Sequence, residues 1–366
     1  MKKLLLSIVV SLLVLSGCGK TVVEENKSNE NNVGVVTEEK AVTETTEEPA
    51  NNEKTETAEE PPANEKAEQA YGEIGENEKI QEKTAEVVGE KTTKYLDIPY
   101  ASVSSAEKLD IYLPPDSGKA FPVIVAIHGG GFMRGDKGDN QVNPMLKGVQ
   151  RGYAVISVNY RLSGEAIFPA QIEDIKAAIR WVRANAGKYN INPDKMAVWG
   201  DSAGGNLASL AGVSGDITEL EDLSLGNADF GSRVQAVVDW FGPIDFLTMD
   251  EQFVKSGKGK TDHGDADSPE SLLMGAKIGD IPDEVKKADP ETYISPDDPP
   301  FFIEHGTLDH MVPTMQSIIF YNKLVPVLGK DNVTLKLLKG ARHGGPAFTA
   351  GDNLDLVFAF LDKELK

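Results

Sequence analysis

From about residue 95 the chain alternates apolar and polar positions, then passes into continuous apolar runs. Residues 95–100 and 108–113 alternate with period two across a short polar turn, which predicts an antiparallel hairpin at a sheet edge, ended by Pro114 and Pro115. Residues 121–127 form an unbroken apolar run, as a strand covered on both faces does, and 153–160 form the next strand. Ile172, Ile175, Ala178, Ile179 and Val182 then recur at helical spacing within 172–186. Further strand-like runs lie at 196–199, 234–241, 300–305 and 333–338, and no internal repeat is visible. Strands alternating with helices imply an α/β fold with a mostly parallel, doubly wound sheet, which gathers ligands at the carboxyl ends of its strands. Residues 244–298 break the rhythm, being rich in Asp, Gly, Lys and Pro, with short helical patches near 269–274 and 283–287. They predict a small cap over those strand ends.

The first ninety residues have a different composition. Met1-Lys2-Lys3 and the apolar run 4–15 predict a signal peptide over 1–18, too short to span a membrane comfortably. It ends Leu15-Ser16-Gly17-Cys18, which resembles a lipobox, so Cys18 is expected to carry a diacylglycerol anchor. Cys18 is the one cysteine in the chain, leaving the mature domain without thiol chemistry or disulfides. Residues 19–90, rich in Glu, Thr, Asn and Lys, have too few apolar positions to offset their ordering entropy and predict a disordered acidic tether. As a coil it spans on the order of 45 Å. The expectation is a domain over 91–366 held at the cell membrane, facing the extracytoplasmic side.

Charge follows the same division. Of the net −21, residues 19–90 carry −13 and residues 91–366 carry −10, with +2 on the first eighteen. A domain at −10 without a basic patch argues against a nucleic-acid partner. Asp262, Asp265 and Asp267 lack the spacing and terminal glutamate of a calcium loop, so they predict a solvated acidic turn, and no metal or organic cofactor is expected.

The candidate chemistry sits where the run 196–199 meets Gly200-Asp201-Ser202-Ala203-Gly204. Glycines two residues before and after a serine permit a sharp strand-to-helix corner that lifts the hydroxyl above the sheet and points a helix N-terminus beside it. His343, on a glycine-rich loop after the final strand, is the expected general base. Asp309, after the preceding strand, is the expected acid, with Asp245 as runner-up; the alternative role for Asp245 is to cap the following turn. His310 neighbours Asp309 but would occupy the acid's place. His128 is expected to hold the glycine loop, while His263 lies in the insertion and His305 at a strand end. Amides of Gly130, Gly131 and Ala203 are the expected oxyanion hole. Asp201 and Trp199, flanking the corner, read as packing or loop-anchoring residues. The order serine, acid, histidine is the one α/β-hydrolases use.

These segments together resemble a known family. His128-Gly129-Gly130-Gly131, Asn159-Tyr160-Arg161-Leu162, the Ser202 pentapeptide, 298–303 running into His305-Gly306 and Asp309 with Val312-Pro313, and His343-Gly344 are similar to bacterial α/β-hydrolase esterases. The likeness is to the bifunctional feruloyl and acetyl xylan esterase type, and more distantly to hormone-sensitive-lipase-like esterases, over roughly 95–365. Phe132 stands where many relatives carry tryptophan, which bears on pocket shape alone. The resemblance implies hydrolysis of short-chain acyl or hydroxycinnamoyl esters, sometimes carried on polysaccharide, through an acyl-enzyme. Two other readings share the scaffold: a peptidase of the prolyl oligopeptidase kind, which would need a large extra domain, and a non-catalytic binding lipoprotein.

Overall fold

The computed structural model describes residues 87–115 and 118–366. The expectations for the signal peptide and Cys18, and for the tether as far as residue 86, therefore lie outside the described residues; residues 87–90, expected as the end of the tether, are described, and Val88 is buried in a hydrophobic core. Eight strands form one sheet in the order β1-β2-β4-β3-β5-β6-β7-β8. The hairpin of β1 (Thr93–Pro99) and β2 (Lys108–Leu113) is antiparallel, and β2 runs antiparallel to β4 (Ala154–Val158) at that edge. All remaining pairs are parallel: β4 with β3 (Phe121–Ile127), then β5 (Ile191–Asp201), β6 (Ala236–Trp240), β7 (Phe301–Gly306) and β8 (Val333–Leu338). The resulting architecture is the α/β-hydrolase fold.

Successive side chains on a strand face opposite sides, so the buried runs feed two cores. Val123, Val125, Ile127, Met196, Val198, Phe301 and Ile303 face the core that includes helix α1 (Ala170–Ala184), helix α2 (Ala203–Val213) and Phe320. Ile124, Ala126, Ala197, Trp199 and Phe302 face the other. Between β6 and β7 come helix α3 (Met249–Ser256), helix α4 (Pro269–Met274) and single turns. Helix α5 (Met315–Leu328) precedes β8, and helix α6 (Gly351–Leu365) closes the second core with Leu354, Val357, Phe358 and Leu361.

Helix α2 is buried along its whole length, which explains its composition of Gly, Ala, Ser and Leu. A Cβ at Gly212 would lie 2.5 Å from a Val237 methyl, so only glycine lets the helix sit this deep on the sheet. The second core depends on one ring. Phe358 packs edge-on to Trp199 at 5.7 Å, against Tyr153 at 6.2 Å, and under the Arg151 guanidinium at 4.5 Å. Phe358→Ala is expected to cost about 3–5 kcal/mol of unfolding free energy, read by denaturant titration; a cost below about 1 kcal/mol would contradict this packing.

Candidate active site

Strand β5 delivers the chain to Ser202 at φ 53°, ψ −121°, a region non-glycine residues seldom occupy. The corner closes because its neighbours have no side chains. A Cβ at Gly200 would stand 2.0 Å from the Gly204 carbonyl oxygen, and one at Gly204 would stand 2.2 Å from that of Ile127. The Ser202 amide donates to the Trp240 carbonyl at 2.8 Å, tying the corner to the end of β6. The Ala203 amide follows as the first of helix α2, where N–H groups lack intrahelical partners.

Three expected side chains converge here from 141 and 34 positions apart in sequence. Ser202 Oγ lies 2.9 Å from His343 Nε2, and His343 Nδ1 lies 2.8 Å from Asp309 Oδ2. The histidine loop is pressed onto the end of β7: a Cβ at Gly306 would lie 2.3 Å from the Arg342 carbonyl oxygen, and Leu308 N–H donates to the Ala341 carbonyl at 2.8 Å. The Phe241 ring meets the His343 ring edge-on at 4.6 Å and limits its rotation. Asp309 Oδ1 accepts the Met311 and Val312 amides at 2.9 and 3.0 Å. Burial alone would push the Asp309 carboxyl up. The charge of His343 and the imidazole hydrogen bonds outweigh it and hold the group well below the usual carboxylate range.

Strand β3 ends in the glycine loop beside the corner. Gly130 (φ 114°) and Gly131 (φ 62°) take left-handed conformations, and Gly130 could carry no Cβ because the Arg134 carbonyl oxygen would be 2.2 Å away. Tyr160 donates its hydroxyl to the His128 carbonyl at 3.0 Å and stacks on the His128 ring at 4.5 Å. His128 Nδ1 donates to the Gly129 carbonyl at 2.8 Å, and complete burial pushes its pKa down, so the ring is neutral. Asp201, next to Ser202, is largely buried. Burial raises its pKa to about 7, opposed by a hydrogen bond from the Gly129 amide, so this carboxyl joins the corner to the glycine loop. Gly131 also lies against α4, where a Cβ would meet the Pro269 ring at 3.4 Å.

The other candidates have different surroundings. Asp245 accepts the Leu247 amide at 3.1 Å, capping the turn after it, and does not reach His343. Its carboxylate lies near Asp289 and Glu291, close enough together for a cation, but Lys323 already pairs with Glu291 and supplies positive charge there. His310 is exposed, as are Asp262, Asp265 and Asp267. His263 bridges Asp250 and the Met311 carbonyl, both at 2.9 Å. Sequence reasoning gave no role to Tyr160 or Phe241. The one signal for Tyr160 was its place in the Asn159–Leu162 turn.

A family model described as BD-FAE matches residues 109–324. Among curated proteins, Esterase LipQ of Mycobacterium tuberculosis is 33% identical over 249 residues, covering 68% of this chain and 56% of that protein. The chain spans about half the length of the curated relatives it matches. Among solved structures, a truncated form of a carbohydrate esterase from gut microbiota is 36% identical with a TM-score of 0.66, over 75% of this chain and 98% of that one. A bifunctional GH43-CE protein of Bacteroides eggerthii is 36% identical with a TM-score of 0.68, over 75% of this chain and 35% of that one.

The Asp201 environment gives a signed pH prediction. Its carboxyl has an ordinary value of 3.8 and titrates at about 7 in the fold, so between those values the folded state holds a proton that the unfolded chain has lost. Stability relative to Asp201→Asn should therefore fall as pH rises from about 4 to about 7. Parallel pH–stability curves for the two proteins, measured by thermal unfolding, would contradict it.

Proposed function

Because the chain belongs to the BD-FAE family, we propose that its folded domain is a serine carboxylesterase that cleaves short-chain acyl or hydroxycinnamoyl esters through an acyl-enzyme. The observation that carries this reading is the continuous line from Ser202 Oγ to His343 to Asp309. A serine hydroxyl is a weak nucleophile until a positioned base takes its proton, and an imidazole 2.9 Å away can do so. As Ser202 Oγ bonds to the ester carbon, its proton passes to His343 Nε2, and Asp309 orients and stabilises the imidazolium. The amides of Gly130, Gly131 and Ala203 receive the charge on the carbonyl oxygen, each such donor contributing about 3–4 kcal/mol of transition-state stabilisation. The alcohol leaves with the proton from His343, then water repeats the sequence on the acyl-enzyme.

The relatives, an esterase and a carbohydrate esterase, support ester bonds on a carbohydrate as the substrate class. The Pro269–Gly131 contact supports residues 244–298 acting as a cap whose helix α4 shapes one wall of the site. The proposal extends to location, with Cys18 as the lipidated residue tethering the domain to the membrane, supported by the Leu15-Ser16-Gly17-Cys18 sequence.

On a panel of acetyl, butyryl, long-chain and feruloyl esters, the protein should favour the short acyl or feruloyl members. Ser202→Ala should lower kcat by at least about 10⁴-fold, and activity persisting in that variant would refute the assignment. For the anchor, cells fed a labelled fatty acid should mark the full-length protein and leave Cys18→Ser unmarked. Equal labelling of both would remove Cys18 from the proposal.

A further inference from the structure

Asp309 serves two imidazoles. Its Oδ2 lies 2.8 Å from His343 Nδ1 and 3.3 Å from Nε2 of His305, a fully buried residue near the end of β7. His305 Nε2 also lies 3.1 Å from the Val312 carbonyl, and its Nδ1 lies 2.7 Å from the Ser317 hydroxyl on helix α5. These partners determine the tautomer. A carbonyl can only accept, so Nε2 carries the hydrogen, shared between the Val312 carbonyl and Asp309 Oδ2. In the neutral ring Nδ1 then accepts the Ser317 O–H. The Phe241 ring meets both imidazoles edge-on, at 4.6 Å to His343 and 6.5 Å to His305.

We infer that His305 is a positioning residue for the proposed esterase chemistry: through its Nε2–H it fixes the Asp309 carboxylate and limits how tightly that carboxylate holds the His343 proton. With two amides on Oδ1 and His305 on Oδ2, the carboxylate cannot rotate away from His343 without losing hydrogen bonds in a buried place. Sharing Oδ2 also divides its lone-pair density. Facing an unshared carboxylate, the His343 imidazole would be more basic and its imidazolium a weaker acid, returning the proton to a leaving alcohol less readily. The remaining titratable groups around the acid are otherwise engaged or exposed. His263 meets the Met311 carbonyl and pairs with Asp250, Lys258 donates to the Thr307 carbonyl, His310 faces solvent, and the buried Asp239 carboxyl on β6, which interacts electrostatically with His305, is held by the Gly242 amide and the Ser209 hydroxyl.

The test compares His305→Gln, whose amide reaches about as far as Nε2, with His305→Asn, whose amide reaches only as far as Nδ1. Both keep a polar group at the site. The first readout needs no substrate: the His343 ring is titrated by NMR in ¹⁵N-histidine-labelled protein. His305→Asn should move that titration to higher pH, while His305→Gln should leave it at the wild-type position. Per folded site, His305→Asn should also lower kcat about 10- to 100-fold with KM within about twofold, rescued in large part by His305→Gln. Equal behaviour of the two variants, or a shift to lower pH, would overturn the inference. Should neither variant fold, the native spectrum decides: His305 must show the Nε2–H tautomer, and the Nδ1–H tautomer would refute it. Because the inference rests on the esterase reading, the two can fail separately. A shifted His343 titration in a protein that turns over no ester would leave the positioning role standing and the proposed activity refuted.

Discussion

The close approach of Gly200 and Gly204 is the constraint on which the rest depends. With 2.0 Å between a would-be Cβ and a carbonyl oxygen, no other residue fits at position 200, and the chain can turn from strand to helix within one residue. That turn forces Ser202 to positive φ, and the neighbouring sheet supports the strain. Strand β5 lies between β3 and β6, the Ser202 amide is held by Trp240, and helix α2 is buried on every side. A strained residue persists where its surroundings over-determine it. Here the surroundings are the centre of an eight-stranded sheet.

Around this corner the structure uses burial to sort acids by task. Asp201 and Asp309 lie at the carboxyl ends of neighbouring parts of the sheet, and burial pushes both carboxyls up. Asp201 has the Gly129 amide and its own amide and is near the charge of Asp139, and burial raises its pKa to about 7 while the carboxyl anchors the glycine loop. Asp309 has two amides and two imidazoles, so it stays ionised and can stabilise positive charge on His343. Removing water makes the two environments differ more than they could at a surface.

Much of this was legible in the residues. The run 121–127 coincides with β3 because a buried parallel strand is apolar throughout, and 333–338 coincides with β8, an edge strand that buries Val333 and Leu338 and leaves Thr334 and Leu337 exposed. The run 153–160 shortens to Ala154–Val158 because Asn159 and Tyr160 leave the ladder to hold the loops beside the site. Helix α3 was not legible: it buries only Met249, Gln252 and Phe253, and its remaining positions read as solvated loop. Ser202, His343 and Asp309 could be assigned because each follows a strand, and the topology brings strand ends to one rim. The supporting contacts could not. Tyr160 on His128, Phe241 on His343 and His305 on Asp309 depend on where loops from separate crossovers settle, and no local periodicity encodes that.

The most direct measurement is to catch the acyl group in transit. Acid quench during turnover of a slowly deacylated ester, followed by mass analysis of the peptide spanning β5 and helix α2, should find one acyl group on Ser202, appearing as fast as the first equivalent of alcohol is released. An acyl group on any other residue, or rapid turnover with no trapped adduct and no burst, would contradict the account.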